Sequence, residues 1–259
     1  AMKIGMPCPI TRREGQSVED FLGGVEFPVV IKPRFGMGSI GFHKFERRED
    51  FWPYVREHQI DLDQYVLQQF IHFDKCFGAI LFVDQKNNVC MAYADEVLRW
   101  FPIDAGTACL IRSIDAPELL KNAANLLKAM NWRGVAALSF MMDKEDNIPK
   151  LQEINGRIPA SIKLSWQCGF NVAKLLVEMA CDWDVEQYPD NTSFGLLTRH
   201  FHADLGWFIK SPQRFHADPS WFCWRNTKDV VYWKGDLKPW LAYTVRKLTG
   251  FQESVNKRR

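Results

Sequence analysis

Residues 27–42, FPVVIKPRFGMGSIGF, join a strand-like apolar run to a lysine and a glycine-rich loop. The loop from Gly36 to Gly41 reads G-x-G-x-x-G, a spacing shared by several classes of nucleotide-binding protein. A dinucleotide-binding fold needs a helix directly after the glycines, but the next residues, FHKF, alternate like a strand. A protein kinase has its lysine after the loop, whereas Lys32 precedes it. The pattern therefore predicts a phosphate-clamping hairpin made of a strand, a lysine, a glycine turn and a returning strand.

A second group of residues suited to phosphate chemistry lies further along the chain, in residues 134–157, GVAALSFMMDKEDNIPKLQEINGR. This segment predicts a β-hairpin, and strand alternation places Glu153 and Asn155 on the same face. A carboxylate and an amide oxygen are ligands that Mg²⁺ accepts together with phosphate oxygens and water. Arg157 adds a permanently charged donor for a transferring phosphoryl group. Glu-x-Asn alone is more often a solvated strand end, but after the lysine–glycine hairpin it predicts a metal and phosphate site.

The order of the two motifs resembles that of the ATP-grasp ligases, in particular the carbamoyl-phosphate-synthase-like members. Their second hairpin ends in E-x-N-P-R, and residues 153–157, EINGR, have Gly in place of Pro. The resemblance covers residues 1 to about 192. It implies an α+β fold in which two α+β lobes clamp the nucleotide between antiparallel sheets, with ATP and one or two Mg²⁺ ions as cofactors. The implied phosphate-binding residues are Lys32, Gly36, Gly38, Ser39 and Gly41, and the implied metal ligands are Glu153 and Asn155.

Residues 65–71, YVLQQFI, match the family's hinge strand, where backbone groups contact the adenine ring. The resemblance implies that the Gln69 carbonyl accepts from the adenine amino group and that the Ile71 amide donates to the ring. Asp74 is the candidate for holding the ribose, although the neighbouring Lys75 departs from the family's pattern.

Ser139 departs from the family's metal site. Related enzymes present Glu, Asp or Gln on the outgoing strand, opposite the Glu-x-Asn pair. A serine hydroxyl can ligate Mg²⁺ or hold a water molecule, but it adds no charge. Asp143 shares the face but lies four residues away, roughly 13 Å along the strand. We therefore expect either one weakly bound Mg²⁺ or reduced or altered catalysis, with Ser139 as the third metal-site residue.

The resemblance implies an ATP-dependent ligase that forms a carbon–nitrogen bond from a small-molecule carboxylate and an amine. In such enzymes the carboxylate attacks the γ-phosphate, and an amine then displaces phosphate from the acyl-phosphate. Arg157 is the candidate for stabilising the transferring phosphoryl group. Arg99 and Arg112 flank residues 104–107 and are candidates for gripping the carboxylate. The alternative is a catalytically reduced nucleotide-binding or regulatory module, which Ser139 favours.

ATP-grasp enzymes also carry an N-terminal α/β domain that helps to bind the acceptor substrate. No counterpart precedes Met2, and Ala1 is typical of a tag remnant. We therefore expect a missing domain or a separate subunit as a partner.

Composition predicts a soluble, cytoplasmic protein. At 259 residues and 47% hydrophobic content, the chain can bury a substantial core. No apolar run reaches the ~18–20 residues of a membrane span, and no signal-peptide pattern is present. Seven cysteines without C-x-x-C spacing favour reduced thiols over a disulfide framework or a zinc site.

The C-terminal part of the chain is basic and rich in tryptophan. Residues 196–259 carry 12 of the 33 lysines and arginines, 5 of the 31 acidic residues and five of the ten tryptophans. This favours an extra lobe packed against the core, while peripheral membrane contact and, less favoured, nucleic-acid binding stay open as alternatives. Residues 239–248 are the best candidate for an amphipathic surface helix. His200 and His202 alternate like a metal-binding strand, but without a third ligand we expect ordinary strand residues.

The chain divides into four predicted segments. They are a connector at 1–16, a first lobe at 17–67, a second lobe at 68–192 and a C-terminal extension at 193–259. Ser17 with Asp20 predicts a helix start, and further helices are predicted near 47–58, at 117–131 and at 160–181.

Overall fold

A computed structural model describes residues 1, 4–35, 41–103 and 106–246 of the chain. Its strands form two sheets. The first is a three-stranded antiparallel sheet in the order β2-β1-β3. Its strands are β1 (Val29–Pro33), β2 (His43–Phe45) and β3 (Tyr65–Gln69).

Two short helices, α1 (Val18–Gly24) and α2 (Phe51–Glu57), pack with this sheet, and single 3₁₀ turns occur at Arg48–Asp50 and Leu62–Gln64. The predicted helix start is confirmed, because the Ser17 hydroxyl accepts the Asp20 amide at 3.0 Å. Phe21 of α1, Ile31 of β1 and Phe51 of α2 are buried in one apolar cluster. This cluster fixes the lysine-bearing strand against the helices of the first lobe.

The second sheet has seven strands in the order β10-β9-β6-β5-β4-β7-β8. All neighbours are antiparallel except β9 and β10. The strands are β4 (Phe73–Val83), β5 (Val89–Phe101), β6 (Thr107–Ile114), β7 (Gly134–Asp143), β8 (Pro149–Asn155), β9 (Leu197–Arg199) and β10 (Thr227–Asp229). The predicted hairpin of residues 134–157 is therefore present as β7 and β8.

Both faces of this sheet are covered by helices, as the alternation of its strands requires. On one face, Ala79 and Leu81 of β4 pack with α3 (Pro117–Ala129). On the other, Ile80 and Phe82 pack with α4 (Ile162–Gln167) and α5 (Val172–Ala180). The helix predicted at 160–181 is thus two helices, since the backbone at Gly169 has φ +92°, a left-handed conformation that ends α4.

The C-terminal extension adds β9 and β10 to the second sheet, next to β6. It continues as α6 (Phe201–Lys210), and residues 238–246 form a further helix. His200 caps α6 and His202 lies within it, so our expectation of strand residues there was wrong. Among the described residues, no group of three or more His, Cys, Asp or Glu side chains is arranged to hold a metal ion on its own.

Buried charges and aromatic rings join the extension to the seven-stranded sheet. The carboxylate of Asp204 lies 3.2 Å from an Arg99 nitrogen and 3.1 Å from the Arg199 Nε. The Arg99 guanidinium stacks 4.5 Å from the Trp207 ring, and that of Arg199 lies 4.3 Å from the Trp224 ring. Trp207 therefore packs against the core, as the sequence suggested, whereas Trp224 is 46% exposed.

All seven cysteines are free thiols, and each lies in the described part of the chain. Among those residues, no helix is both long enough and apolar enough to cross a membrane.

Candidate nucleotide site

The lysine and glycine motif forms a hairpin, because β1 and β2 pair antiparallel with Ile31 opposite His43. This pairing confirms the strand–loop–strand expectation and excludes a helix directly after the loop. At Gly41 the backbone has φ +76°, and a Cβ there would lie 2.8 Å from the Pro33 Cγ. Only glycine fits this position without strain. Gly36, Gly38 and Ser39 lie outside the described residues.

The metal motif has the register that the sequence predicted. In the β7–β8 pair, Ser139 lies opposite Glu153 and Ala137 lies opposite Asn155. Residues directly opposite each other share a face, so Ser139, Glu153 and Asn155 point to the same side of the sheet. The Asn155 amide nitrogen donates to a Glu153 carboxylate oxygen at 2.8 Å.

The two motifs meet across the two sheets. The Lys32 Nζ donates to the carbonyl oxygen of Gln152 at 3.4 Å, although the residues are 120 positions apart in sequence. Partial burial lowers the pKa of the Lys32 ammonium, and the negative charge of Glu153 offsets part of this effect. The Lys32 ammonium of one sheet thus contacts β8 of the other at the residue before Glu153.

Arg157 follows β8 directly and is exposed. It makes no ion pair with any residue that the structure describes; its one hydrogen bond, at 3.4 Å, is to the neighbouring Ile158 carbonyl. Its guanidinium is therefore not neutralised by any described carboxylate, two residues after the end of the strand that carries Glu153.

Arg99 and Arg112 are not brought to this site. Arg112 lies opposite Glu96 in the sheet and pairs with its carboxylate at 2.6 Å. By strand alternation, this pair lies on the sheet face opposite Ser139 and Glu153. Arg99 is 2% exposed and is held by Asp204 and by the Pro219 carbonyl. We therefore withdraw both arginines as candidates for gripping a substrate.

The hinge candidates lie where β3 leaves the first sheet. Gln69 ends β3 and is half-buried, and Ile71 is buried two residues later. No described group accepts a hydrogen bond from the Ile71 amide, which keeps it available as a donor. Asp74 is exposed at the start of β4, in an irregular part of the β4–β7 pairing. The adenine and ribose contacts stay predictions.

Asp95 is a residue that sequence reasoning missed. On β5 it lies opposite Gly78, which in turn lies opposite Ser139 on the other side of β4. Asp95 is 5% exposed, and burial raises its pKa to about 7, an effect that the Gly78 amide partly offsets. The only sequence signal was a carboxylate within the otherwise apolar run of residues 89–95.

Glu153, Asn155 and Ser139 fit a magnesium ion in donor chemistry, since carboxylate, amide and hydroxyl oxygens are hard ligands. They cannot enclose the ion alone, so phosphate oxygens and water would complete its coordination.

A family model of the ATP-grasp domain matches residues 2–161. No curated protein matches the sequence. Among solved structures, the chain is similar to biotin carboxylase from Campylobacter jejuni in a β,γ-ATP complex, with 17% identity and a TM-score of 0.61, over 75% of this chain and 46% of that one.

Two further structures are similar. One is the biotin carboxylase domain of Hydrogenobacter thermophilus 2-oxoglutarate carboxylase, in complex with MgADP, ADP and bicarbonate, with 14% identity and a TM-score of 0.62, over 76% of this chain and 46% of that one. The other is N5-carboxyaminoimidazole ribonucleotide synthetase from Thermotoga maritima, with 16% identity and a TM-score of 0.56, over 76% and 49%. At these identities the likeness shows a shared fold, and the chain spans less than half the length of each of these three structures.

Proposed function

Because the chain belongs to the ATP-grasp family, whose α+β fold it has as expected, we propose that it is an ATP-dependent ligase joining a carboxylate to an amine. The observation that carries this proposal is the contact of Lys32 with β8 beside Glu153. It assembles a phosphate-binding cation and a metal-binding carboxylate from two sheets. A neighbouring structure holds MgADP and bicarbonate, which supports a magnesium–nucleotide complex next to a small carboxylate-like anion.

In the proposed reaction, a carboxylate oxygen of the substrate forms a bond to the γ-phosphorus as the bond from that phosphorus to ADP breaks. The nitrogen of the amine then attacks the acyl-phosphate carbon, phosphate leaves, and the nitrogen loses a proton. Lys32 and the glycine hairpin hold the phosphates, and Arg157 stabilises the charge of the phosphoryl group in transfer. Glu153 and Asn155 would hold a magnesium ion, which would offset negative charge on the phosphates of the nucleotide. Acceptor binding by another segment or subunit is part of this proposal.

Mg-ATP should raise the melting temperature of the protein, because a ligand bound only by the folded state stabilises it. Lys32→Ala should abolish most of this shift, since it removes the cation at the phosphates. Thermal unfolding monitored with and without millimolar Mg-ATP measures both effects.

The matched control is Lys121→Ala. Lys121 lies on α3, behind the sheet, and pairs there only with the exposed Glu118, so its variant should keep the full ligand-induced shift. A wild-type melting curve that Mg-ATP leaves unchanged would refute the nucleotide-binding proposal.

The second candidate function is a nucleotide-binding module without turnover, which is favoured by the absence of charge on Ser139. The Glu153→Gln variant distinguishes a ligase from such a module. Glutamine keeps the shape of the side chain but removes its charge from the phosphates. The variant should still bind nucleotide through the hinge but lose ADP formation, measured with a panel of carboxylates and ammonium. The control is Glu145→Gln in the exposed β7–β8 turn, which should keep the wild-type rate.

The module would be favoured instead if wild type and Glu153→Gln bound Mg-ATP with equal affinity and neither formed ADP with any carboxylate.

A further inference from the structure

A row of three polar residues and one glycine crosses the second sheet beside the candidate nucleotide site. The pairings place Glu153 of β8 opposite Ser139 of β7, Ser139 opposite Gly78 of β4, and Gly78 opposite Asp95 of β5. Because directly opposite residues share a face, all four lie on the side of the sheet that carries the metal motif. The row therefore runs from the metal ligand Glu153 to the buried carboxylate of Asp95.

Gly78 leaves space that the Asp95 side chain occupies. A Cβ added at Gly78 would lie 2.5 Å from the Asp95 Oδ1, so the carboxylate extends over β4 towards β7. Opposite Cβ positions on neighbouring strands are about 5 Å apart. The Asp95 carboxylate is thus separated from Ser139 by about one strand spacing, roughly 5 Å.

Asp95 is only 5% exposed, and it has no ion-pair partner among the described residues. A buried carboxylate without a counter-ion destabilises the folded state. Burial, and in addition the negative charge of Asp95, raises the pKa of Tyr93 and of Cys168, and neither a phenol nor a thiol can supply a positive charge to Asp95. A cation bound nearby would compensate Asp95.

We propose that Asp95, across the gap left by Gly78, supplies the magnesium site with the second negative charge that Ser139 does not provide. This inference rests on the proposed function, since it requires Mg-ATP at Glu153 and Asn155. The Asp95 carboxylate, over β4, lies about two strand spacings from Glu153 of β8, which is too far for it to coordinate the same ion as Glu153. It acts as a positioning residue, through its field and through a water molecule held by the Ser139 hydroxyl.

The test is a titration of Mg²⁺ at fixed ATP, with nucleotide binding measured by calorimetry at pH 8. Asp95→Asn should raise the Mg²⁺ concentration for half-maximal ATP binding by about tenfold, the effect expected of one unit charge several ångströms away in a partly solvated site. Glu96→Gln is the matched control, because it removes a carboxylate one residue away on the opposite face. It should leave the midpoint unchanged.

A second test moves the negative charge from position 95 to position 139. Ser139→Glu should lower the midpoint in the wild type, and in the Asp95→Asn background it should restore wild-type magnesium dependence. Gly78→Ala should displace the Asp95 carboxylate and raise the midpoint in the same direction as Asp95→Asn. These variants report on metal-dependent binding and need no knowledge of the acceptor.

The outcomes distinguish this inference from the proposed function. If the wild type fails to bind Mg-ATP, both fail. If the wild type binds but Asp95→Asn and Glu96→Gln have the same midpoint, Asp95 does not act on the metal and only the inference is overturned. An equal loss of ATP binding with and without Mg²⁺ in Asp95→Asn would also overturn it, because it would indicate a structural role.

Discussion

Replacing Asp204 by alanine should lower the free energy of unfolding by about 3–5 kcal/mol, the range for breaking a buried ion pair by removing one partner. Asp204 is fully buried and lies between the guanidinium groups of Arg99 and Arg199, both also buried. Without it, two positive charges remain in the interior with no other ion-pair partner in the part of the chain that the structure describes. Because Arg99 belongs to β5 and Asp204 to α6, the loss should detach the C-terminal extension from the sheet.

Urea unfolding of the wild type and the variant measures the difference. The control is Asp218→Ala, an exposed aspartate in the same extension, where a change within about 0.5 kcal/mol is expected. A loss of less than about 1 kcal/mol for Asp204→Ala would contradict the burial of this charge cluster.

Asp95→Asn should stabilise the protein at alkaline pH and have little effect in acid. Burial raises the pKa of the Asp95 carboxyl from 3.8 to about 7. Between these values the folded protein binds more protons than the unfolded chain, so its stability falls as the pH rises from about 4 to 7. Asparagine stays neutral and removes this fall. The gain over wild type should grow from near zero at pH 4 to at most about 4 kcal/mol above pH 7.

Unfolding curves at pH 4, 6 and 8 without nucleotide would show this trend. Glu96→Gln, which removes the half-buried partner of Arg112, should show no such gain at pH 8. An equal gain for Asp95→Asn at all three values would show that Asp95 is not titrated in this range.

Local patterns predicted much of the fold. Ser17 with Asp20 marked the start of α1, and alternation with a polar turn marked β7 and β8, because capping and strand parity depend on nearby residues. Gly169 was missed because a glycine inside an apolar helical pattern can be tolerated, and its left-handed backbone is set by how α5 packs. His202 was misassigned because alternation over a few residues does not distinguish a strand from the first turn of a helix.

Local sequence patterns predicted the candidate site only in part. The order of the motifs predicted that Lys32 and Glu153 act together, and the register of Ser139 followed from parity within one hairpin. Asp95 could not be found in this way, because its position next to Gly78 and in line with Ser139 depends on the order of the strands in the sheet. Arg99 was misplaced for the same reason: irregular pairing on both sides of it in β5 and its partner in α6 are non-local.

The pairing of β9 with β6 also affects the tendency of the protein to aggregate through its sheet edge. Without residues beyond 192, the eight-residue strand β6 would present a row of unpaired backbone amides and carbonyls at the border of the sheet, which is a template for strands from other molecules. In the intact protein that border is covered by β9 and ends in β10, a strand of only three residues, too short to recruit another chain along its length. We therefore expect the tryptophan-rich extension to limit aggregation, and shortened versions of the chain to aggregate even where their remaining lobes still fold.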